Sequence, residues 1–461
     1  MSIKSFIVFL FAVFIFPLLS YGDNKTKFGA IFCDYGSAAG MYSPKLYGQA
    51  VVYANKNFPI IRTTTDFGTG YAYNPKDSDA VFQVGGNADL WGNGQQWLKQ
   101  YSEFQKAVCD TNKSEYPIKV ILEIENPQKW FYDHQSTMNY IYQFVLPMMN
   151  GMDDEYWENM FKSETLRPRY IENIWKTHKV CNTKEDAGYT TYKPGDDKYN
   201  HVIGIIIGHE VGNVMTPWST DNKIDDVNQL DHYVQMLNDA LAEVGIKDRI
   251  YVTTTISVGF ANNDNQRNFL YTNDGSKYVF QSGTTTVKGK NVDFSRVLNA
   301  LSEIKNQNYN GNYNMGVLVS MYPYWNPYCG DLPNAEAVCQ TYETMYNGIK
   351  NALPDDLKEL KVSFGEAGAP SYGNRFKDGA PHIPSVDLAK SAVDGAVMFA
   401  EKNSSVPLIL FWNLFDSDFR NPSCPDENNP EFWYGLYNNT LSSIGKGQVP
   451  ELRFDIPDFR K

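Results

Sequence analysis

Two glutamates sit where apolar runs stop. Glu210 follows "IIIGH", residues Ile205 to His209, and Glu366 follows "KVSFG", residues Lys361 to Gly365. A carboxylate next to so apolar a segment is costly unless it is paired or put to use. The first run begins like the H-E-x-x-H signature of a zinc peptidase, which needs a second His one helical turn on so that both imidazoles face one metal. Position 213 is Asn213, and no other His has a partner at metal-binding spacing, so no metal and no other cofactor is expected. Two carboxyl groups remain. With one held neutral and the other ionised, they are equipped for general acid and nucleophilic work.

Something must bring together two residues so far apart in the chain. Eight short β-branched runs recur: 27–33, 59–65, 118–124, 201–207, 249–256, 315–321, 360–364 and 406–412. Apolar periodicity predicts helices at Gln95 to Cys109, Val227 to Val244, Ser295 to Gln307, Ala335 to Leu353 and Val386 to Asn403. Near-continuous apolar strands alternating with helices indicate a parallel sheet covered on both faces, and eight of them point to a closed (β/α)8 TIM barrel with loop insertions. The largest insertion is expected at about 127–200, whose tail "TKEDAGYTTYKPGDDKYN" reads as a polar loop. An open doubly wound sheet has less support, because the glycines of "CDYGSAAG" after the first strand are wrongly spaced for a dinucleotide turn.

In such a barrel the reacting groups project from the C-terminal strand ends. The candidates there are Tyr35 after the first strand, Arg62 in the second, Asn126 after the third, and His209 with Glu210 after the fourth. The sixth strand ends in "MYPYWNPY", which supplies Tyr322, Tyr324 and Trp325; the seventh supplies Glu366 and the eighth Trp412. Glu123 and Glu125 read as rim or salt-bridge residues. Strands four and seven stand nearly opposite, so Glu210 and Glu366 face each other across a cleft rich in Tyr and Trp, whose flat rings suit the apolar faces of sugars. This is the equipment for cleaving a glycosidic bond with retention, Glu210 as acid/base and Glu366 as nucleophile.

The segments "IIGHEVGN", "YVTTTIS", "SMYPYWNPY" and "VSFGEAGAPSYG" occur in the order of the corresponding segments of family 17 glycoside hydrolases, the β-1,3-glucanases and related glucanosyltransferases, and resemble them. The resemblance implies a β/α barrel with the acid on strand four and the nucleophile on strand seven. It also implies that Arg62 and Tyr322 contact the nucleophile and that Trp412 floors the site of the scissile sugar. His209 stands where the family has Asn, and Ala367 and Ala369 stand where it has Thr and Trp. Other readings are a barrel acting on mixed-linkage glucan or mannan, and an inactive carbohydrate-binding barrel.

Bulk properties narrow the partners. Lys4 and the apolar stretch Phe6 to Leu19 read as a signal peptide over residues 1–22, leaving one secreted domain over 23–461 and no membrane attachment after cleavage. The chain has a formal net charge of −12, which argues against nucleic acid and favours a neutral polysaccharide or oligosaccharide. A monomer is expected. The 6 cysteines suit an exported, disulfide-bonded chain, and Cys329 with Cys339, flanking one short loop, are the best candidate pair. Sequons at Asn24, Asn112, Asn403 and Asn438 are possible glycan acceptors.

Overall fold

The computed structural model describes residues 25–32, 45–65, 95–124, 127, 131, 133–149, 200–212, 221–260, 269–271, 278–287, 289–326, 330–374, 382–416, 430, 433–440, 443–444 and 447–461. The signal-peptide segment, Tyr35, Asn126 and Cys329 lie outside them, as does most of the expected insertion.

The central sheet contains strands β1 (Lys27–Phe32), β2 (Ile60–Thr64), β3 (Lys119–Ile124), β4 (Val202–Ile207), β5 (Tyr251–Thr253), β6 (Thr255–Ile256), β7 (Val317–Met321), β8 (Val362–Ala367) and β9 (Leu408–Phe411). Their hydrogen-bonded order is β5-β4-β3-β2-β1-β9-β8-β7-β6. β5 and β6 are halves of one strand parted by Thr254, so the two ends of this order meet. β5 pairs with β4, aligning Gly204 with Tyr251, and β6 pairs with β7, aligning Leu318 with Thr255. Thr254 joins the seam: its hydroxyl donates to the Ile207 carbonyl at 2.7 Å, and its own carbonyl accepts from Leu318 N at 3.1 Å. All ladders in this sheet are parallel, and the result is a closed (β/α)8 barrel.

Helices α1 (Lys45–Ala54), α2 (Gln95–Asp110), α3 (His134–Tyr140), α4 (Leu146–Met149), α5 (Asp221–Glu243), α6 (Ser295–Asn306), α7 (Ala335–Ala352) and α8 (Val386–Lys402) cover the strands. The start of α7 is capped by Asn334, which accepts from Ala337 N at 3.1 Å, and that of α8 by Ser385, which accepts from Leu388 N at 3.0 Å. α3 runs through a π-helical turn (Ile141–Val145) into α4. Tyr140, Phe144 and Leu146 to Met149 are buried there, so this part of the expected insertion belongs to the helical layer between β3 and β4.

The cysteine expectation is corrected. Cys339 is a free, buried thiol on α7, and Cys109 is free as well. Cys339 shares the core-facing side of the helix with Val338, Tyr342 and Met345. The face that makes α7 amphipathic therefore takes the thiol into the core and away from the loop that precedes the helix. No described helix is long and apolar enough to cross a membrane.

Candidate active site

Both glutamates sit on irregularities at strand ends. Along β8, Val319 aligns with Phe364 and Ser320 with Glu366, while on the other side Phe364 aligns with Ile409 and Ala367 with Phe411. Both neighbours thus record one extra residue in β8 at Gly365 and Glu366. Such a bulge re-aims a side chain and frees a backbone group from the ladder. The freed carbonyl of Gly365 accepts from Arg62 Nη1 at 2.7 Å. The position is tight as well, since a Cβ at Gly365 would lie 3.0 Å from the Leu318 side chain.

After β4 the chain makes a tighter excursion. Gly208 has φ +78° and Glu210 φ +47°; Glu210 is the one non-glycine residue with positive φ among the described residues. That conformation is uncommon for a residue with a side chain and gathers at functional sites. The excursion is pinned on both sides, with Gly208 N donating to Ile124 O at 2.8 Å and Val211 N to Thr255 O at 2.7 Å. Glu210 is half-buried at its crest.

Beneath the glutamates lies a cluster of buried charges. Arg62 is 0% exposed. Its Nε donates to Glu123 Oε2 at 3.0 Å, and its Nη2 donates to Glu123 Oε1 and to Glu366 Oε1, the latter at 3.1 Å. His209 Nδ1 lies 2.9 Å from Glu123 Oε1 and 3.6 Å from Glu366 Oε1. The second oxygen of Glu366 accepts from the Tyr322 hydroxyl at 2.8 Å, with Ser320 Oγ at 3.5 Å. Both oxygens of Glu366 are therefore held by donors, which favours the ionised form.

The charges set one another's protonation. Burial by itself would raise Glu123, but the charges of Arg62 and His209 outweigh it and hold the carboxyl at about 2. Burial would lower His209, and the charges of Glu123 and Glu366 reverse that and lift it to about 9. At neutral pH His209 is an imidazolium that donates through Nδ1 to Glu123. Glu366 moves above the ordinary carboxylate value because burial is the largest effect on it; His209 and Arg62 pull it down, and Glu210 and Glu123 push it up. Glu210 directly follows His209, whose Nδ1 lies 3.6 Å from Glu366 Oε1, and its charge helps to raise both groups.

The structure brings Arg62, His209, Glu210, Tyr322 and Glu366 together. Trp412 is nearly buried at the end of β9, with its N–H donating to Ala367 O at 2.9 Å and a cis peptide linking it to Asn413. Arg62 has no exposed surface and holds Glu366 and Glu123 from below, the contact with the strand-seven carboxylate that the resemblance implied. One sequence expectation is corrected. Tyr324 is 0% exposed and packs edge-on against Trp325 at 5.0 Å. It belongs to the core because the turn Pro323–Trp325 rotates it inward while Tyr322 and Trp325 stay partly exposed. Ala367 and Ala369 are buried and present no side chain to a cleft.

Glu123, expected as a rim or salt-bridge residue, is the buried partner of Arg62 and His209. It lies at the centre of the cluster, 1% exposed, aligned across the sheet with Thr64 and on the same inward face as Arg62. The signal was available, since an acid inside "KVILEI" and an arginine inside "PIIRTTT" on neighbouring strands each need a buried partner. Among the described residues no group of His, Cys, Asp and Glu is arranged to hold a metal ion.

No protein-family model matches the chain, and no curated protein does. Among solved structures, a β-1,3-glucanase and allergen of Cryptomeria japonica pollen aligns over 94% of this chain and 99% of its own, with a TM-score of 0.53 and 13% identity. An endo-laminarinase from Formosa aligns over 91% of this chain and 87% of its own, with a TM-score of 0.46 and 12% identity. The first of these shares the barrel fold with this chain.

Proposed function

We propose that the protein is a secreted, retaining glycoside hydrolase that acts on β-glucan of the β-1,3 type. The observation that carries this reading is the holding of Glu366. A carboxylate on a bulged strand end, with one oxygen on Arg62 and the other on Tyr322, is set up as an ionised nucleophile, and Glu210 crests the neighbouring cleft edge within electrostatic reach. In the first step Glu366 attacks the anomeric carbon while Glu210 passes its proton to the departing glycosidic oxygen. In the second, Glu210 takes a proton from water, or from a sugar hydroxyl, as that oxygen displaces Glu366 from the ester. Each step passes one negative charge between Glu366 and Glu210, and Arg62 and His209 lie where Glu366 regains its charge at the end of the second.

The β-1,3 preference rests on the motif order along the chain and on the fold shared with a pollen β-1,3-glucanase. Secretion rests on Lys4 and the apolar stretch behind it. The test is a panel of β-1,3-glucan, mixed-linkage glucan and mannan with product analysis and NMR of the newly formed anomer, applied to the wild type, Glu210→Gln and Glu366→Gln. The expected result is β-anomeric product from β-1,3-glucan and loss of turnover in both variants, which remain folded. Undiminished turnover in the variants, or inverted product, overturns the assignment.

A further inference from the structure

Beyond the carboxylates, residues 362–371 are buried without interruption, and the chain then turns outward at Tyr372, which is 54% exposed. Tyr372 does not hang free. Its ring meets that of Trp433 edge to face, with centroids 5.1 Å apart and planes at 73°. The preceding residue fastens the same pair, as Ser371 donates to the Trp433 carbonyl from both N, at 2.8 Å, and Oγ, at 2.9 Å. The segment carrying Trp433 is in turn zipped to the end of β9: Asn413 N donates to Tyr434 O at 3.1 Å and Leu436 N to Asn413 O at 2.9 Å.

The pair is continuous with the catalytic cluster. Tyr434, next to Trp433, packs edge to face on Tyr322 with centroids 5.7 Å apart, and the Tyr322 hydroxyl is the one that donates to Glu366. The Tyr322–Tyr434 and Tyr372–Trp433 ring pairs are therefore joined through the backbone of residues 433–434, which ties the surroundings of the nucleophile to an exposed rim built from the strand-seven loop on one side and the segment after strand eight on the other. Burial does not account for the Tyr372 ring, which leaves more than half of its surface in water while both backbone segments beneath it are held rigid. A large flat side chain fixed in place and left wet is suited to stacking on the C–H face of a pyranose, at little ordering cost on binding.

We propose that Tyr372 and Trp433 form an outlying sugar-binding subsite that holds a pyranose unit of the same glycan whose scissile bond lies over Glu366 and Glu210. This inference rests on the glycosidase reading above and adds to it a specificity for chain length. An oligosaccharide that reaches from the carboxylates to the rim gains the stacking contact, and a shorter one does not.

Two measurements test it. In native gels containing soluble β-1,3-glucan, Glu366→Gln is retarded relative to a gel without glycan, and the added change Tyr372→Ala weakens that retardation by about tenfold in apparent affinity, the size of one aromatic stacking contact. Adding Tyr372→Phe in its place restores it, and adding Val52→Ala, at an exposed position of helix α1, leaves it unaltered. In steady-state kinetics on β-1,3-gluco-oligosaccharides of increasing length, Tyr372→Ala raises KM by a factor that grows with length while kcat moves little. Equal retardation with and without Tyr372→Ala, no retardation by any glucan, or a KM change independent of chain length overturns the subsite. If Glu366→Gln and Glu210→Gln keep full turnover while Tyr372→Ala still weakens retardation, the catalytic assignment fails and the subsite stands.

Discussion

Replacing Glu123 with Gln keeps the shape of the side chain and removes the charge that organises the buried cluster. Glu123 is held at about 2 against an ordinary 4.5, which at about 1.36 kcal/mol per pH unit corresponds to stabilisation on the order of 3 kcal/mol. His209, lifted from 6.5 to about 9, reports much of the same interaction from its other end, so the two are not added. Loss of one partner of a buried ion pair falls in the same range, roughly 3 to 5 kcal/mol. The pH dependence separates the contributions. A carboxyl lowered by folding gives stability that is present above its unfolded value of about 4.5 and is lost as the pH falls toward 2. A histidine raised by folding gives stability that is complete below about 6.5 and is lost as the pH rises toward 9. The gap between wild type and Glu123→Gln is therefore widest between these limits, on the order of 3 kcal/mol near pH 6. It narrows above pH 9 to the share owed to Arg62, which keeps its charge. Guanidinium unfolding midpoints of both proteins across this pH range measure the gap. Coincident curves near pH 6, or a gap that does not narrow as His209 loses its proton, would refute the reasoning.

Three further outcomes follow from the same geometry. On the function proposed above, Tyr322→Phe removes a hydrogen bond to the nucleophilic carboxylate, so kcat/KM on β-1,3-glucan drops by about 10- to 100-fold, with the larger part of the loss in kcat; unchanged kinetics would show that the 2.8 Å contact does not act on the nucleophile. On the same proposal the nucleophile Glu366 must be ionised and burial raises it, so activity declines on the acid side with an apparent pKa above the ordinary 4.5, and a profile flat down to that value contradicts the assignment. Gly316→Ala puts a Cβ 1.9 Å from the Lys361 carbonyl at φ +64°, so unfolding shifts by roughly 2 kcal/mol or more while the carboxylate cluster is untouched; calorimetry showing no loss would mean that the β7 entrance relaxes freely.

Much of the barrel can be read from local pattern. Runs such as "HVIGIII" and "VPLILFW" are too apolar to face water on either side, and helices such as α7 and α8 carry their caps and their inward stripes in the sequence. Arg62, Tyr322 and Glu366 were legible because strand ends in a barrel converge. The strands between the fifth strand and α6, over 258–260, 269–271, 278–280, 284–287 and 290–293, were not legible, since each runs for only three or four residues and pairs only within its own small sheet. The partner of Cys339 was misjudged because proximity along the chain says nothing of which way a helix turns its face.

By itself, then, the sequence determined which segments must be buried, how many there are, and that two acids lie at the ends of the fourth and seventh. Periodicity and apolar content act over a few residues and need no knowledge of the whole. Only the tertiary structure decided the charged surroundings of Glu366 and the backbone turns that carry both acids. An extra residue in β8 and a left-handed turn at Glu210 redirect the side chains, and the sharing of Arg62 between Glu123 and Glu366 depends on the pairing of β2 with β3 and on the closure of the ring, which brings β8 to them across its interior. Charge coupling falls off over a few ångströms in space, whatever the separation along the chain, so it came into being only when the ring of strands closed.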